Sequence, residues 1–243
     1  MDALWRLVPV TMLTVRQFSG GKTARLVLLL SCFPVLFAAI FVIRPWSGDP
    51  AEYLADLFRE LIVPTLLPIV VLLPATAALG NELEDGTLPY LLMKPVSRAR
   101  IVLGKYLAVI LVTLPALIVG VGLTTLAVTR APGAEGLWPI FMAMAVAVAA
   151  GALLLGALFL LVSLLIPRAL LAGMIYVFAW ESLLGRFLPG VQAISSREYI
   201  LRVFDGLLDG DSAVAMSAIT TIGVVILVCL VLAIWRLSRT QID

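Results

Sequence analysis

The run from Asn81 to Ala108 holds the groups of this chain best placed to do chemistry. It reads NELEDGTLPYLLMKPVSRARIVLGKYLA and packs three carboxylates, a Gly-Thr pair and four basic side chains into one short stretch. Asp85-Gly86 allows a sharp turn, because glycine accepts a positive φ. The next residues would form a short helix along the membrane. Its apolar face would consist of Leu88, Leu91, Leu92 and Met93. Such a helix is suited to docking another protein, and the alternative is a solvated loop whose basic end anchors the topology.

A second run, Gly20-Gly21-Lys22-Thr23, is similar to the end of a phosphate-binding loop. The full pattern requires a glycine five residues before Gly21, where this chain has Arg16, and a strand before it. We therefore predict no ATPase site in this chain, no catalytic residues, and a hinge at this position.

The composition indicates what kind of element must position these groups. Apolar residues make up 62% of the chain and charged residues 13%, with a mean hydropathy of +1.12. In globular proteins about half of the residues are apolar and about a quarter are charged. This chain therefore has too few polar residues to cover a soluble domain. It has no histidine, and Cys32 and Cys229 both lie in apolar stretches. We predict an all-α integral membrane protein with no metal site and no cofactor of its own.

Six apolar stretches are long enough to cross a bilayer as helices. An amphipathic surface helix (1–20) is expected before them, an acidic loop with Asp49 and Glu60 between the first two, and a cytoplasmic coupling loop (81–100) between the second and third. An amphipathic loop (185–211) is expected on the outer side. The predicted spans are 26–43, 61–79, 101–128, 137–166, 169–184 and 212–235.

The basic residues predict the orientation. Most of the 17 lie in the segments that hold the two termini, the 81–100 loop and the tight turn at Pro167-Arg168. Loops rich in lysine and arginine stay in the cytoplasm. We predict a multi-pass protein of the cytoplasmic membrane with both termini in the cytoplasm.

A family resemblance rests on the same run. Its pattern E-x-E-x-G-T-x-x-Y-L-L-x-x-P-x-S-R, followed by Gly104-Lys105-Tyr106, resembles the motif of type-2 ATP-binding-cassette (ABC-2) permeases. The segments Trp180-Glu181 and Leu188-Pro189, then Ser195 and Tyr199, are also similar to such permeases.

The resemblance implies that the loop docks on a separate ATPase subunit. It also implies two permease chains and two ATPases in the complex, with ATP and Mg bound by the partner. We expect the chain to export a hydrophobic or amphipathic molecule, with lipids around it and no nucleic acid bound. The residues predicted to contact the ATPase are Asn81, Glu82, Glu84, Asp85, Gly86, Thr87, Tyr90, Leu91, Pro95, Ser97 and Arg98.

Four residues are candidates for a substrate pathway: Trp180, Glu181, Thr113 and Thr124. A carboxylate at membrane depth costs about 3 kcal/mol, so Glu181 would face the interior of the bundle or water. The alternative places Glu181 near the outer interface, paired with Arg186 or a helix end. For 185–211 the alternatives are a re-entrant or interfacial helical pair that caps the pathway and an ordinary surface loop.

Other functions fit parts of the sequence. A stand-alone ion-coupled carrier would usually show several ionisable residues at mid-membrane, and only Glu181 qualifies. A lipid phosphotransferase would need a series of spaced aspartates that is missing from the sequence. A membrane anchor or sensor without transport shares the docking helix and stays open.

Overall fold

The computed structural model describes residues 11, 12, 14, 15, 21–43, 49–84, 97–166, 168–176 and 195–239. In this part of the chain the regular backbone is helical and contains no strand, which confirms the predicted all-α membrane fold. Five helical runs there have the length and apolar composition to cross a membrane: Lys22–Ile43, Pro50–Ala78, Arg98–Val128, Trp138–Leu165 and Ser212–Arg239. The surface helix at 1–20 and the second half of the span at 169–184 lie largely outside the described residues, and both stay predictions.

The described helices are named in chain order. They are α1 (Lys22–Cys32), α2 (Pro34–Ile43), α3 (Pro50–Leu57), α4 (Leu67–Glu84), α5 (Arg98–Val128), α6 (Trp138–Leu165), α7 (Ala169–Ile175), α8 (Ser196–Leu208) and α9 (Ser212–Arg239). A π segment (Phe58–Leu66) joins α3 and α4 into one continuous rod.

The segment expected as an acidic loop, 49–60, is helical from Pro50 onward. Asp49 caps the helix, since its Oδ1 accepts a hydrogen bond from the Ala51 amide at 3.0 Å. Pro50 stands at the first helical position, where its fixed φ suits the helix and its missing N–H costs nothing. The second predicted span therefore begins eleven residues earlier than position 61, and the difference follows from a capping pair visible in the sequence.

The bundle has two distinct ends. We call the one where α4 stops and α5 starts the loop end, and it also holds Arg168 and the last turn of α9. The opposite end, the far end, holds Pro50, the turn 129–137 and the connection 209–211. One apolar core runs through the bundle around Leu67, Phe159 and Phe204. A second, smaller core lies at the loop end between α5, α6 and α9 and includes Ile101, Leu160, Ala233 and Leu237.

Two backbone features set how closely the spans approach. A Cβ on Gly120 of α5 would lie 2.0 Å from the Ser31 carbonyl oxygen of α1, so the crossing of these helices requires glycine. Arg168 adopts a left-handed conformation with φ 58°, which reverses the chain between α6 and α7. The tight turn predicted at 167–168 thus joins two helices that pack against each other.

Candidate functional site

The loop end brings together the two flanks of the predicted coupling loop. Asn81, Glu82 and Glu84 lie in the last turn of α4, so the helix reaches further into the predicted loop than position 79. Ser97 directly precedes α5, and Arg98 is the first residue of that helix. The other predicted ATPase contacts lie outside the described residues: Asp85, Gly86, Thr87, Tyr90, Leu91 and Pro95.

Lys105 connects these two helices from inside the bundle. Its side chain is 3% exposed, and its Nζ donates a hydrogen bond to the Ala78 carbonyl oxygen of α4. Burying an ammonium group costs free energy unless it is hydrogen-bonded, so Lys105 needs this contact in an apolar bundle. Ala78 lies less than two turns before the end of α4. The lysine of the Gly104-Lys105-Tyr106 motif therefore fixes the distance between the two flanks of the loop.

Arg98 makes a second connection at the loop end. Its Nη1 donates to the carbonyl oxygen of Leu237, in the last turn of α9. The last four carbonyls of a helix have no partner inside it, and a cation there also favours the helix dipole. The arrangement thus joins the start of α5 to the end of α9. The predicted contact of Arg98 with an ATPase stays a prediction, and this contact within the chain was not foreseen.

Tyr106, the residue after Lys105, contacts α6. Its hydroxyl donates to the Leu153 carbonyl oxygen of α6 at 3.0 Å. A Cβ on Gly156 of α6 would lie 3.5 Å from the Tyr106 ring. Consecutive motif residues therefore hold α5 to α4 on one side and to α6 on the other.

The far end has a different set of polar contacts, between the π segment and α8. The guanidinium of Arg59 donates to Asp205 Oδ1 from Nη2 at 2.7 Å and from Nε at 3.1 Å. Beside this pair, the rings of Phe58 and Phe204 pack with their centroids 4.5 Å apart, and Arg59 lies 5.4 Å from the centroid of Phe204. Both phenylalanines are fully buried. We call the contact made by these four residues and Arg197 the clasp.

Arg197 supplies a donor that the π segment lacks. In a π-helix each N–H bonds the carbonyl five residues before it, so the donor to Arg59 would come from position 64. That residue is Pro64, which has no N–H. The Arg197 guanidinium donates to the Arg59 carbonyl oxygen at 3.2 Å and lies 3.8 Å from Glu60. An arginine of α8 thus bonds the main chain where the proline interrupts its hydrogen-bond ladder.

The helix α8 lies in the segment 185–211, which was expected as an outer loop or a re-entrant pair. Its Ile200 packs against Gly151 of α6, which lies about 20 Å along that helix from Trp138. Its Gly206 instead lies against Ala215 at the start of α9. The helix therefore runs from the middle of the bundle towards the far end and buries Ile200, Val203 and Phe204. Residues 185–194 lie outside the described residues, and the re-entrant pair stays a prediction.

A small cavity of about 60 Å³, lined by both hydroxyl-bearing and apolar side chains, lies beside the first turn of α8. The hydroxyls of Tyr176 and Ser196 meet across it at 3.3 Å, and Tyr199 and Thr221 also line it. It has room for water but falls far short of the 300–1,000 Å³ of a typical ligand pocket. Hydroxyls gathered at this depth mark a polar point in an otherwise apolar bundle.

The comparison with known proteins identifies the family. A family described as ABC-2 family transporter protein matches residues 39–242. The chain belongs to the ABC-2 transporter family. This ABC-2 chain is also 30% identical over 138 residues to the probable ABC transporter permease protein NosY of Stutzerimonas stutzeri. That alignment covers 53% of this chain and 46% of NosY, so the chain spans about half of the length of this relative.

The predicted pathway residues of this ABC-2 chain fall into two groups. Thr113 and Thr124 are buried in α5, and their hydroxyls donate to carbonyls of their own helix, those of Val109 and Gly120. Trp180 and Glu181 lie outside the described residues. Their role in a pathway stays a prediction. The hydroxyls that line the mid-bundle cavity belong to Tyr176 at the end of α7, Ser196 and Tyr199 of α8 and Thr221 of α9. Of these, the sequence resemblance had named only Tyr199.

A wider apolar cleft of about 400 Å³ opens at the far end, between α5 and α6. Its wall includes Thr125, but that hydroxyl donates to the Val121 carbonyl of its own helix. Trp138 and Phe141 form the other wall with their rings 5.4 Å apart. The cleft thus presents apolar surface near the ends of two spans of this ABC-2 chain.

Proposed function

We propose that the chain is the membrane-spanning permease subunit of an ABC transporter. A separate ATPase subunit docks on the 81–100 loop, and its ATP-driven motion moves the spans. The chain itself conducts the substrate and makes or breaks no bonds. Family membership supports this proposal, and the observation that carries it is the construction of the loop end.

That construction suits transmission of force. The loop leaves one long rod, α3 through α4, and enters another, α5. Lys105 holds these rods together, and Arg98 holds the entry point to α9. A push on the loop is therefore delivered to three spans at once, since none of them ends freely at this point. Rigid helices joined by buried contacts carry such displacements along their length.

The subunit numbers are those that the family resemblance implies, and the orientation and substrate class rest on the sequence. The complex contains two permease chains and two ATPase subunits, with ATP and Mg bound only by the latter. The chain lies in the cytoplasmic membrane with both termini and the loop end in the cytoplasm, because the basic residues concentrate there. The substrate is hydrophobic or amphipathic and is exported, which agrees with spans whose polar groups are few.

The test is affinity purification of the chain from its native membrane in mild detergent, with mass spectrometry of the proteins that accompany it. We expect a stoichiometric partner with a phosphate-binding loop and ATPase activity. Glu84→Lys reverses a charge at the flank of the loop and should release that partner. Glu135→Lys makes the same change in the exposed turn at the far end and should retain it.

Two outcomes would contradict the proposal. A chain that purifies alone, with ATP changing nothing, would favour a stand-alone carrier. A partner that survives Glu84→Lys but is lost with Glu135→Lys would place docking at the far end and reverse the topology.

A further inference from the structure

The clasp lies at the opposite end of the bundle from the proposed ATPase site, yet it belongs to the same rod. The rod runs without a break from Pro50 to Glu84, so Arg59 and the flank of the 81–100 loop are parts of one helical element. At 1.5 Å per residue they lie about 37 Å apart. A displacement of the loop therefore reaches Arg59 through a continuous helix.

Three kinds of contact then tie Arg59 and its neighbours to α8. Arg59 donates two charge-assisted hydrogen bonds to one oxygen of Asp205, and such bonds are shorter and stronger than bonds between neutral groups. Phe58 and Phe204 add a buried ring contact next to it. Arg197 bonds the main chain of the rod itself at Arg59. Because α8 contributes to all three, it cannot move relative to the π segment without breaking several of them.

The π segment is where such a coupling would be most effective. A π-helix is rarely longer than a single turn, and this one extends over nine residues and contains Pro64. Arg197 bonds a carbonyl that the proline leaves without its π-type donor. The shape of the rod at this point therefore depends on a side chain of α8, and the position of α8 depends on the rod.

We propose that the clasp makes the rod and α8 a single moving unit, so that Arg59 and Asp205 position α8 during the transport cycle. This inference rests on the proposed function and adds to it the element that ATP-driven motion acts on. When the loop is displaced at the cytoplasmic side, α8 follows at the far end. Its first turn then changes the shape of the cavity beside Ser196 and so opens or closes the middle of the bundle.

The test measures hydrogen–deuterium exchange in the complex of this chain with its co-purified ATPase, in the resting state and trapped with ATP and vanadate. For the unmodified chain we expect exchange to change on trapping in both the last turn of α4 and in α8. Arg59→Asp should abolish the change in α8 while the change in α4 persists. The exchanged pair, Arg59→Asp with Asp205→Arg, should restore it, which a merely damaged fold would not do.

The matched control lies on α8 itself. Glu198 and Arg202 form an ion pair of 3.3 Å within that helix, so reversing their charges (Glu198→Arg with Arg202→Glu) alters the same helix without touching the rod. This control should respond to trapping as the unmodified chain does. A response of α8 in Arg59→Asp equal to that of the unmodified chain, with α4 also responding, would overturn the inference and leave the proposed function standing. Absence of any ATPase partner, or of any response in α4 of the unmodified chain, would overturn both.

Discussion

At the loop end Lys105 and Arg98 donate to main-chain carbonyls, whereas at the far end Arg59 pairs with a carboxylate and Arg197 bonds a main-chain carbonyl. Lys105 and Arg98 bond the carbonyls of Ala78 and Leu237. Arg59 instead lies within ion-pair distance of both Asp56, at 3.9 Å, and Asp205, at 2.7 Å. A carbonyl of a helix is fixed by its backbone, but a carboxylate moves with its side chain. The loop-end contacts thus bond backbone atoms, while the clasp combines a partly exposed ion pair with a buried ring contact and a main-chain bond.

The difference agrees with the two tasks proposed for the ends. The end that receives force from the ATPase must resist displacement. Buried hydrogen bonds to backbone atoms do so, because breaking them leaves polar groups unsatisfied. The clasp must keep α8 joined to the rod while both move. A partly exposed ion pair is weak individually, so the clasp also depends on its buried rings and on the main-chain bond from Arg197.

The largest expected effect comes from a change that involves no charge. Gly120→Val would drive a side chain into the backbone of α1 at Ser31, where even a Cβ lies at 2.0 Å. We expect a loss of more than about 3 kcal/mol in the free energy of unfolding, because the obstacle is main chain and cannot rotate away. Denaturant-induced unfolding in detergent would measure it. The control is Gly223→Val, at a position with open space around it. Equal stability of the two variants would show that the α1–α5 crossing is not close-packed.

A smaller effect is expected for the buried lysine at the loop end. Lys105→Leu removes the donor to Ala78 and should lower the free energy of unfolding by about 1–3 kcal/mol, with faster amide exchange in the last turns of α4. Lys105→Gln keeps a donor and should retain most of the stability. If the leucine variant is as stable as the unmodified protein, the fixed contact assigned to this end is not needed for the fold.

Arg98→Gln tests the other fixed contact. The bond to Leu237 is at a helix terminus that is partly exposed, so a loss of about 0.5–1 kcal/mol is expected. Amide exchange should rise in the last turn of α9, which hydrogen-exchange mass spectrometry would detect. Arg100→Gln, two residues further along α5, should leave that turn unchanged. The same rise in both variants would attribute the effect to net charge instead of to the capping bond.

The smallest effect is expected within α8. Arg202→Ala removes an exposed pair between residues one helical turn apart, worth about 0.3–0.5 kcal/mol. Thermal unfolding should therefore be nearly unchanged. Asp205→Ala, three residues along, should lower the unfolding temperature more, since it removes two hydrogen bonds to Arg59. The reverse order would mean that the clasp adds nothing to stability beyond a local pair.

The ends of two long helices lie close to the limits expected from the sequence, because the apolar runs end at clear charges or turns. The helix α5 begins three residues before the predicted 101, and α6 lies one residue inside each predicted limit. The start of α3 was missed although Asp49-Pro50 is a strong capping pair, because the acidic residues after it were taken to mark a loop. The clasp could not be predicted, since Arg59 and Asp205 lie 146 positions apart and only folding brings them together. The same holds for Lys105 and Ala78, whose contact involves a backbone atom that no pattern of side chains reveals.

The length of α5 has a consequence for the surrounding lipid. Its 31 residues extend about 46 Å, while the hydrocarbon core of a bilayer is about 30 Å thick. A helix of this length must tilt or extend into the headgroup region, and hydrophobic mismatch makes the choice depend on lipid chain length. Because α5 is joined at its first turns to α4 and α9, a change of tilt would be passed to both. Bilayer thickness is therefore a physical variable that acts on the same helices as the proposed ATPase.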